Sequence, residues 1–181
     1  MNYRRARVAG ATYFFTVNLA DRRRSWLTDH IDLLRSTIRK VKLRHPFTID
    51  AIVILPDHMH IIWTLPDGDQ DFDIRWMLIK GAFSRGMPRI DSRNASRRAK
   101  GERGVWQRRY WEHVVRDDPD FERHVDYIHY NPVKHGLVAK PAEWPYSSIH
   151  RFIERGILPA DWGGRFAPDK NEFGERRSSG C

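Results

Sequence analysis

The chain has 181 residues, of which 40% are hydrophobic, so it is long enough and apolar enough for one domain with tails. No apolar run approaches the roughly 20 residues that span a bilayer, and the N-terminus lacks the apolar core of a signal peptide, so we expect a cytoplasmic protein. Its one cysteine, Cys181, excludes an internal disulfide and a thiolate zinc site, and its net charge of +9 favours a polyanion, above all nucleic acid, as partner.

The first elements are a basic arm, a strand and a helix. Residues 1–10 are rich in arginine and end in glycine, and we interpret them as the arm. Residues 11–19 are β-branched and aromatic, which predicts a strand. After a charged loop, apolar residues at helical spacing predict a helix over 29–45, which Pro46 ends.

A β-hairpin and a second helix follow. Pro56 and Asp57 form a turn signal between two apolar runs, because Pro restricts φ and Asp bonds its own backbone. Residues 52–55 and 58–65 are the two strands of this hairpin. A helix is predicted over 72–85. Its inward residues are expected to be Ile74, Met77, Leu78 and Phe83.

The last third contains a basic loop, a strand and a long helix. Residues 86–104 are polar and arginine-rich, which is typical of a mobile loop, and a strand is predicted near 105–115. A helix begins after the capping residues Asp117 and Asp118 and is expected to end at Asn131-Pro132.

The order strand, helix, strand, strand, helix, strand predicts an α+β fold, a split βαβ antiparallel sheet with helices packed on it. We divide the chain into a basic arm at 1–10, a catalytic domain at 11–131, a packed C-terminal extension at 132–162 and a flexible tail at 163–181.

Two histidines lie on the second strand of the hairpin. His58 and His60 are two residues apart, so both side chains are expected on one face of the strand. Imidazole is a good ligand for a divalent metal, and a carboxylate or amide oxygen nearby completes the set of ligands. The pattern therefore favours a metal site.

The long helix offers a third ligand and a nucleophile. Tyr127 and Asn131 are four residues apart and share one side of the helix. The Asn131 amide oxygen is the candidate third ligand, and the Tyr127 phenol is the candidate nucleophile for a phosphate polarised by the metal. Tyr130 is the competing nucleophile, although its spacing from Asn131 is less favourable. His129 points away from both and is interpreted as a structural residue or a phosphate contact.

The sequence resembles the HUH single-tyrosine transposases of the IS200-like group, and among them the REP-associated tyrosine transposases. His-Met-His at 58–60 carries this resemblance, together with Tyr-Ile-His-Tyr-Asn-Pro-Val-Lys-His-Gly at 127–136 and Trp-Pro-Tyr-Ser-Ser at 144–148. It covers roughly residues 3–150. Many insertion-sequence relatives have Gln where this chain has Asn131.

The resemblance implies a ferredoxin-like palm, a Mg²⁺ or Mn²⁺ ion and single-stranded hairpins of repetitive palindromic DNA as substrate. His58, His60 and Asn131 would be the metal ligands. Tyr127 would form a 5′-phosphotyrosine and release a 3′-hydroxyl. The protein would be a monomer or a homodimer.

Arginine clusters interleaved with aromatic residues are expected to bind the DNA, since cations hold the backbone while bases stack on aromatic rings. The candidate contacts are Arg4, Arg5, Arg7, Arg22, Arg23, Arg108, Arg109, Lys134 and His135. Two alternatives remain open: a hairpin-binding protein without catalysis, and an HUH replication initiator or relaxase. The short chain without a helicase domain argues against the second.

Overall fold

The computed structural model describes residues 7–88 and 103–163, and its centre is a four-stranded antiparallel sheet. The strands are β1 (Thr12–Asn18), β2 (Thr48–Ile54), β3 (His58–Thr64) and β4 (Trp111–Val114). They lie in the order β2-β3-β1-β4, so the predicted α+β split βαβ sheet is confirmed. Arg4, Arg5, most of the basic loop and nearly all of the tail lie outside the described residues.

Helices cover both faces of this sheet. They are α1 (Trp26–Asp29), α2 (Ile31–Arg44), α3 (Phe72–Gly86), α4 (Asp118–Lys134) and α5 (Ile149–Glu154), with a 3-10 turn at Pro141–Glu143. Odd-numbered residues of β1 and β3 pack with α2 and α3, and even-numbered residues pack with α4. The predicted histidine pair thus faces the helix that carries the predicted nucleophile. No helix in the described ranges combines the length and the apolarity that a bilayer crossing needs.

Aromatic packing holds α3 against the sheet. Trp63 of β3 is fully buried, and its ring centroid lies 4.6 Å from that of Trp76, in a stacked arrangement. Phe15 and Phe47 pack on Trp63 at 4.7 and 4.5 Å. The prediction that Ile74 and Met77 point inward is wrong, because α3 packs on the sheet through the neighbouring row of its side chains, which contains Trp76. Ile74 is 40% exposed and Met77 is 64% exposed.

Three predicted boundaries also differ. Strand β2 runs over Thr48–Ile54 and so begins four residues before the predicted 52. The chain from 105 makes a single bridge, between Leu19 and Trp106, and rejoins the sheet only at Trp111. The Lys80 ammonium donates to the carbonyl oxygen of Gln107 at 2.6 Å, and the Gln107 amide donates to that of Asn18 at 3.0 Å, so this segment is tied both to α3 and to the end of β1. Helix α4 continues through Pro132 to Lys134 instead of ending at Asn131-Pro132.

The extension covers the free edge of β2. The Ile54 amide donates to the carbonyl oxygen of Tyr146 at 2.9 Å, and the Ser148 amide donates to that of Ile52 at 2.8 Å. The Ser148 hydroxyl accepts a hydrogen bond from the Ile52 amide at 2.9 Å and also lies 3.0 Å from Nε2 of His129 on α4. One hydroxyl therefore joins three elements, namely β2, the extension and α4.

Candidate active site

The two strand histidines lie side by side beneath α4. The ring centroids of His58 and His60 are 5.0 Å apart, and both side chains are buried. Nδ1 of His58 lies 2.7 Å from a carboxylate oxygen of Asp57, and Nδ1 of His60 lies 2.8 Å from the Thr16 hydroxyl. Since both Nδ1 atoms are engaged, Nε2 is the atom that each ring would present to a metal.

Asp57 orients the first of these rings and is itself held by an arginine. Arg22 forms an ion pair with Asp57, and its Nη1 donates to the amide oxygen of Asn18 at 2.7 Å. Burial raises the pKa of Asp57, but the contacts with His58 and Arg22 outweigh it and lower the pKa to about 2. The carboxylate is therefore ionised at neutral pH and favours the His58 tautomer with hydrogen on Nδ1.

Helix α4 places Tyr127 against the histidine pair. Its ring centroid is 5.1 Å from that of His60, and its side chain is buried. Asn131, one turn later on the helix, is also fully buried. Two imidazoles and one amide oxygen form a donor set that suits a divalent cation, so the residues present fit the metal that the resemblance implies.

The neighbours of Tyr127 on the helix have other surroundings. Tyr130 is half-buried. His129 is fully buried, packs on Phe152 with ring centroids 4.7 Å apart, and burial lowers its pKa to about 3. His129 is therefore a neutral structural residue, and of the two tyrosines it is Tyr127 that packs on His60.

Two of the predicted DNA contacts lie at the C-terminal end of α4, next to this site. Nζ of Lys134 lies 3.0 Å from the phenol oxygen of Tyr127. The ring centroid of His135 is 5.0 Å from that of His58, and the side chain is exposed.

Of the predicted arginine contacts that the structure describes, three form ion pairs within the chain. Arg7 pairs with Asp73 of α3, Arg22 with Asp57, and Arg23 with Asp21. Arg108 and Arg109 are exposed, as Arg23 also is.

Sequence reasoning missed a cluster at the start of α4. Oδ2 of Asp120 lies 2.7 Å from Nε2 of His113 on β4, and Nδ1 of His124 lies 3.3 Å from Oδ1. The three residues have the spacing of metal ligands. However, Arg116 and Arg123 also bind this carboxylate, at 3.2 and 2.9 Å. Two guanidinium groups already balance its charge, so the cluster is better explained as a clamp between β4 and α4.

Replacing Asp120 by Asn is expected to reduce the free energy of unfolding by about 3 kcal/mol, because it removes the buried negative charge with which the surrounding cationic side chains form ion pairs. Burial raises the pKa of Asp120, but bonds from His113 and Arg116 outweigh it and hold the pKa well below its usual range. The stabilisation is therefore present above about pH 4 and is lost as pH falls through the lowered pKa. Urea unfolding at pH 7 and at pH 3 tests this prediction. The difference in free energy of unfolding between wild type and variant should be smaller at pH 3 than at pH 7.

The matched control is Asp118→Asn in the same helical turn, where the side chain is exposed. It should change stability by less than about 1 kcal/mol, through the helix dipole alone. Equal losses in the two variants would contradict the clamp.

Comparison with known proteins agrees with this architecture. Residues 9–131 match the family described as "Transposase IS200 like". A REP-associated tyrosine transposase of Escherichia coli (strain K12) is 48% identical over 162 residues, covering 90% of each chain. A Haemophilus influenzae protein of the same group is 48% identical over 164 residues, covering 90% of this chain and 93% of its own.

A solved structure extends the similarity to three dimensions. It is that of a REP-associated tyrosine transposase bound to a REP hairpin, with 46% identity, 99% coverage of both chains and a TM-score of 0.85. These relatives are enzymes that act on DNA, so the predicted enzyme class is confirmed. The chain belongs to the IS200-like transposase family.

Proposed function

We propose that this chain is a metal-dependent single-stranded DNA endonuclease and strand transferase that acts on hairpin repeat DNA through Tyr127. The observation that carries the proposal is the position of the buried Tyr127 ring. Its centroid lies 5.1 Å from that of His60, on the face of the sheet that carries both histidines. The hairpin substrate follows from the relative that is 46% identical and bound to a REP hairpin.

The family implies a divalent metal, and His58, His60 and Asn131 are the residues that would hold it. Their two imidazoles and one amide oxygen favour Mg²⁺ or Mn²⁺, with water in the remaining positions. When bound, the ion would act as a Lewis acid on the scissile phosphate. Asp57 and Thr16 keep the two imidazole rings in the required orientation by bonding their Nδ1 atoms.

The chemistry of this chain's own residues is a transesterification. The phenol oxygen of Tyr127 forms a bond to phosphorus, and the bond from phosphorus to the 3′ oxygen breaks. The proton that leaves the phenol is matched by the proton that the 3′ oxygen gains through solvent. The products are a 5′-phosphotyrosine and a free 3′-hydroxyl, so the phosphodiester energy is kept and a strand can be rejoined without ATP.

Several cations of this chain are candidates for holding the DNA backbone. Lys134 contacts Tyr127 and His135 lies beside His58, whereas Arg23, Arg108 and Arg109 are exposed in other parts of the chain. Exposed cations position a nucleic acid through its phosphates and make binding depend on salt.

The test is a denaturing gel of the protein with labelled single-stranded hairpin DNA from the repeats beside its own gene. A covalent band is expected with Mn²⁺ or Mg²⁺ and not with EDTA. His60→Ala should reduce its rate of formation at least about 100-fold, because several kcal/mol of charge stabilisation are lost. His45→Ala is the control, since His45 follows α2 on the other face.

Each other outcome has a definite meaning. A band of equal intensity in EDTA would rule out metal dependence. Binding on a native gel without any band would leave the non-catalytic hairpin-binding protein. Cleavage confined to supercoiled plasmid would favour the replication initiator or relaxase.

A further inference from the structure

A cationic side chain, that of Lys134, contacts the predicted nucleophile. Its Nζ lies 3.0 Å from the phenol oxygen of Tyr127 and 4.6 Å from the ring centroid. The ammonium thus meets both the oxygen and the face of the ring, and a cation over an aromatic ring is itself attracted to it.

The fold of α4 makes this contact possible. Lys134 follows Tyr127 by seven residues, close to two helical turns, so both lie on one side of the helix. The helix continues through Pro132, and the amide of His135 closes its last turn on the carbonyl oxygen of Asn131 at 3.0 Å. A helix that ended at Pro132 would leave Lys134 in a loop without a set direction.

We infer that Lys134 is a catalytic residue of strand transfer, whose ammonium holds the phenol oxygen of Tyr127 and contacts the phosphate that this oxygen attacks. The inference rests on the proposed function, because it assigns a role in the same site. This role of Lys134 differs from that of a general DNA-backbone contact, in which a cation adds binding affinity without acting at the reacting phosphorus.

The geometry leads to this role in one step. Attack begins when the phenol oxygen and phosphorus are about 3–3.5 Å apart. Because Nζ is 3.0 Å from that oxygen, a phosphate positioned for attack brings a non-bridging oxygen within reach of the flexible ammonium. Tyr127 is buried and Lys134 is half-buried, so this contact is partly shielded from water, and a cation so placed interacts more strongly with a phosphate than it would in bulk water.

The charge change on the phosphate explains why the effect appears in the rate. Negative charge redistributes over the phosphate oxygens as the new bond forms and the old one breaks, and a fixed cation stabilises that state. Lys134 neither gains nor loses a proton in this scheme. Cleavage and rejoining pass through the same transition state, so both rates should fall by the same factor when the ammonium is removed.

The experiment compares Lys134→Met, Lys134→Arg and wild type in single-turnover cleavage at saturating hairpin DNA. Lys134→Met, which keeps the length of the side chain and removes the charge, is expected to reduce adduct formation about 100-fold. Its hairpin Kd should stay within about threefold, as the loss of one phosphate contact among several predicts. Rejoining should slow by the same factor, and Lys134→Arg should recover most of the rate because it restores the cation.

The matched control is Lys140→Met, an exposed lysine in the extension, and melting temperatures are measured for every variant. An unchanged rate with a weakened Kd in Lys134→Met would overturn the inference in favour of a binding contact. If Lys134→Met and Lys134→Arg both lowered the melting temperature and slowed adduct formation to the same extent, the inference would be overturned in favour of a structural role. If wild type forms no adduct, the proposed function fails. If wild type forms adduct and Lys134→Met forms it at the same rate, the inference alone fails.

Discussion

Tyr127→Phe is expected to abolish the covalent protein–DNA adduct while the hairpin Kd stays close to that of wild type. The substitution removes one oxygen and leaves the ring, which packs at 6.1 Å on Phe14 and at 5.1 Å on His60. The packing of α4 on the sheet is therefore retained, and the bond-forming atom is lost. Adduct formation on a denaturing gel and binding on a native gel measure the two effects separately.

The control for this variant is Tyr130→Phe, three residues further along α4. Because Tyr130 is only half-buried and its neighbour Tyr127 is the residue that packs on His60, this variant should form adduct at nearly the wild-type rate. An adduct that persists in Tyr127→Phe and disappears in Tyr130→Phe would move the nucleophile to Tyr130.

Trp63→Ala is expected to have the largest effect on stability, reducing the free energy of unfolding by about 4 kcal/mol. Trp63 is fully buried and packs between Trp76 of α3 and Phe47, with centroid distances of 4.6 and 4.5 Å. Truncation would open a cavity at the junction of the sheet and α3. Urea unfolding followed by circular dichroism gives the magnitude.

A conservative variant and a control protect this measurement. Trp63→Phe keeps an aromatic ring and should reduce the free energy of unfolding clearly less than Trp63→Ala. It can still be compared with wild type if the alanine variant does not fold. Met77→Ala, on the exposed side of α3, should change stability by no more than about 0.5 kcal/mol. A loss at Met77 equal to that at Trp63 would contradict the observed orientation of α3.

Most of the sheet could be predicted from the sequence because its strands are short apolar, β-branched and aromatic runs bounded by turn signals. The alternation along β3 predicted correctly that His58 and His60 share a face, and the rings lie 5.0 Å apart. The inward face of α3 could not be predicted in the same way. Apolar residues occur on several sides of this helix, and the buried side is the one that packs on Trp63 of β3.

The surroundings of Tyr127, the predicted nucleophile, were predicted only in part. The spacing of Tyr127 and Asn131 indicated a common helix face, whereas the contact of Lys134 with Tyr127 depends on a helix that continues through a proline. Proline is normally a stop signal, so sequence reasoning ended the helix too early. The clamp on Asp120 was missed because one of its partners, His113, lies on β4 rather than on the same helix. The spacing of Asp120 and His124, four residues apart on α4, was a local signal for it.

The Ser148 hydroxyl ties the orientation of α4 to the sheet. It bonds the amide of Ile52 in the sheet and lies 3.0 Å from His129, which is two residues after Tyr127 on the same helix. Rotation of α4 about its own axis would break the contact between His129 and Ser148. The extension therefore opposes such a rotation and helps to fix the direction in which the Tyr127 side chain leaves the helix.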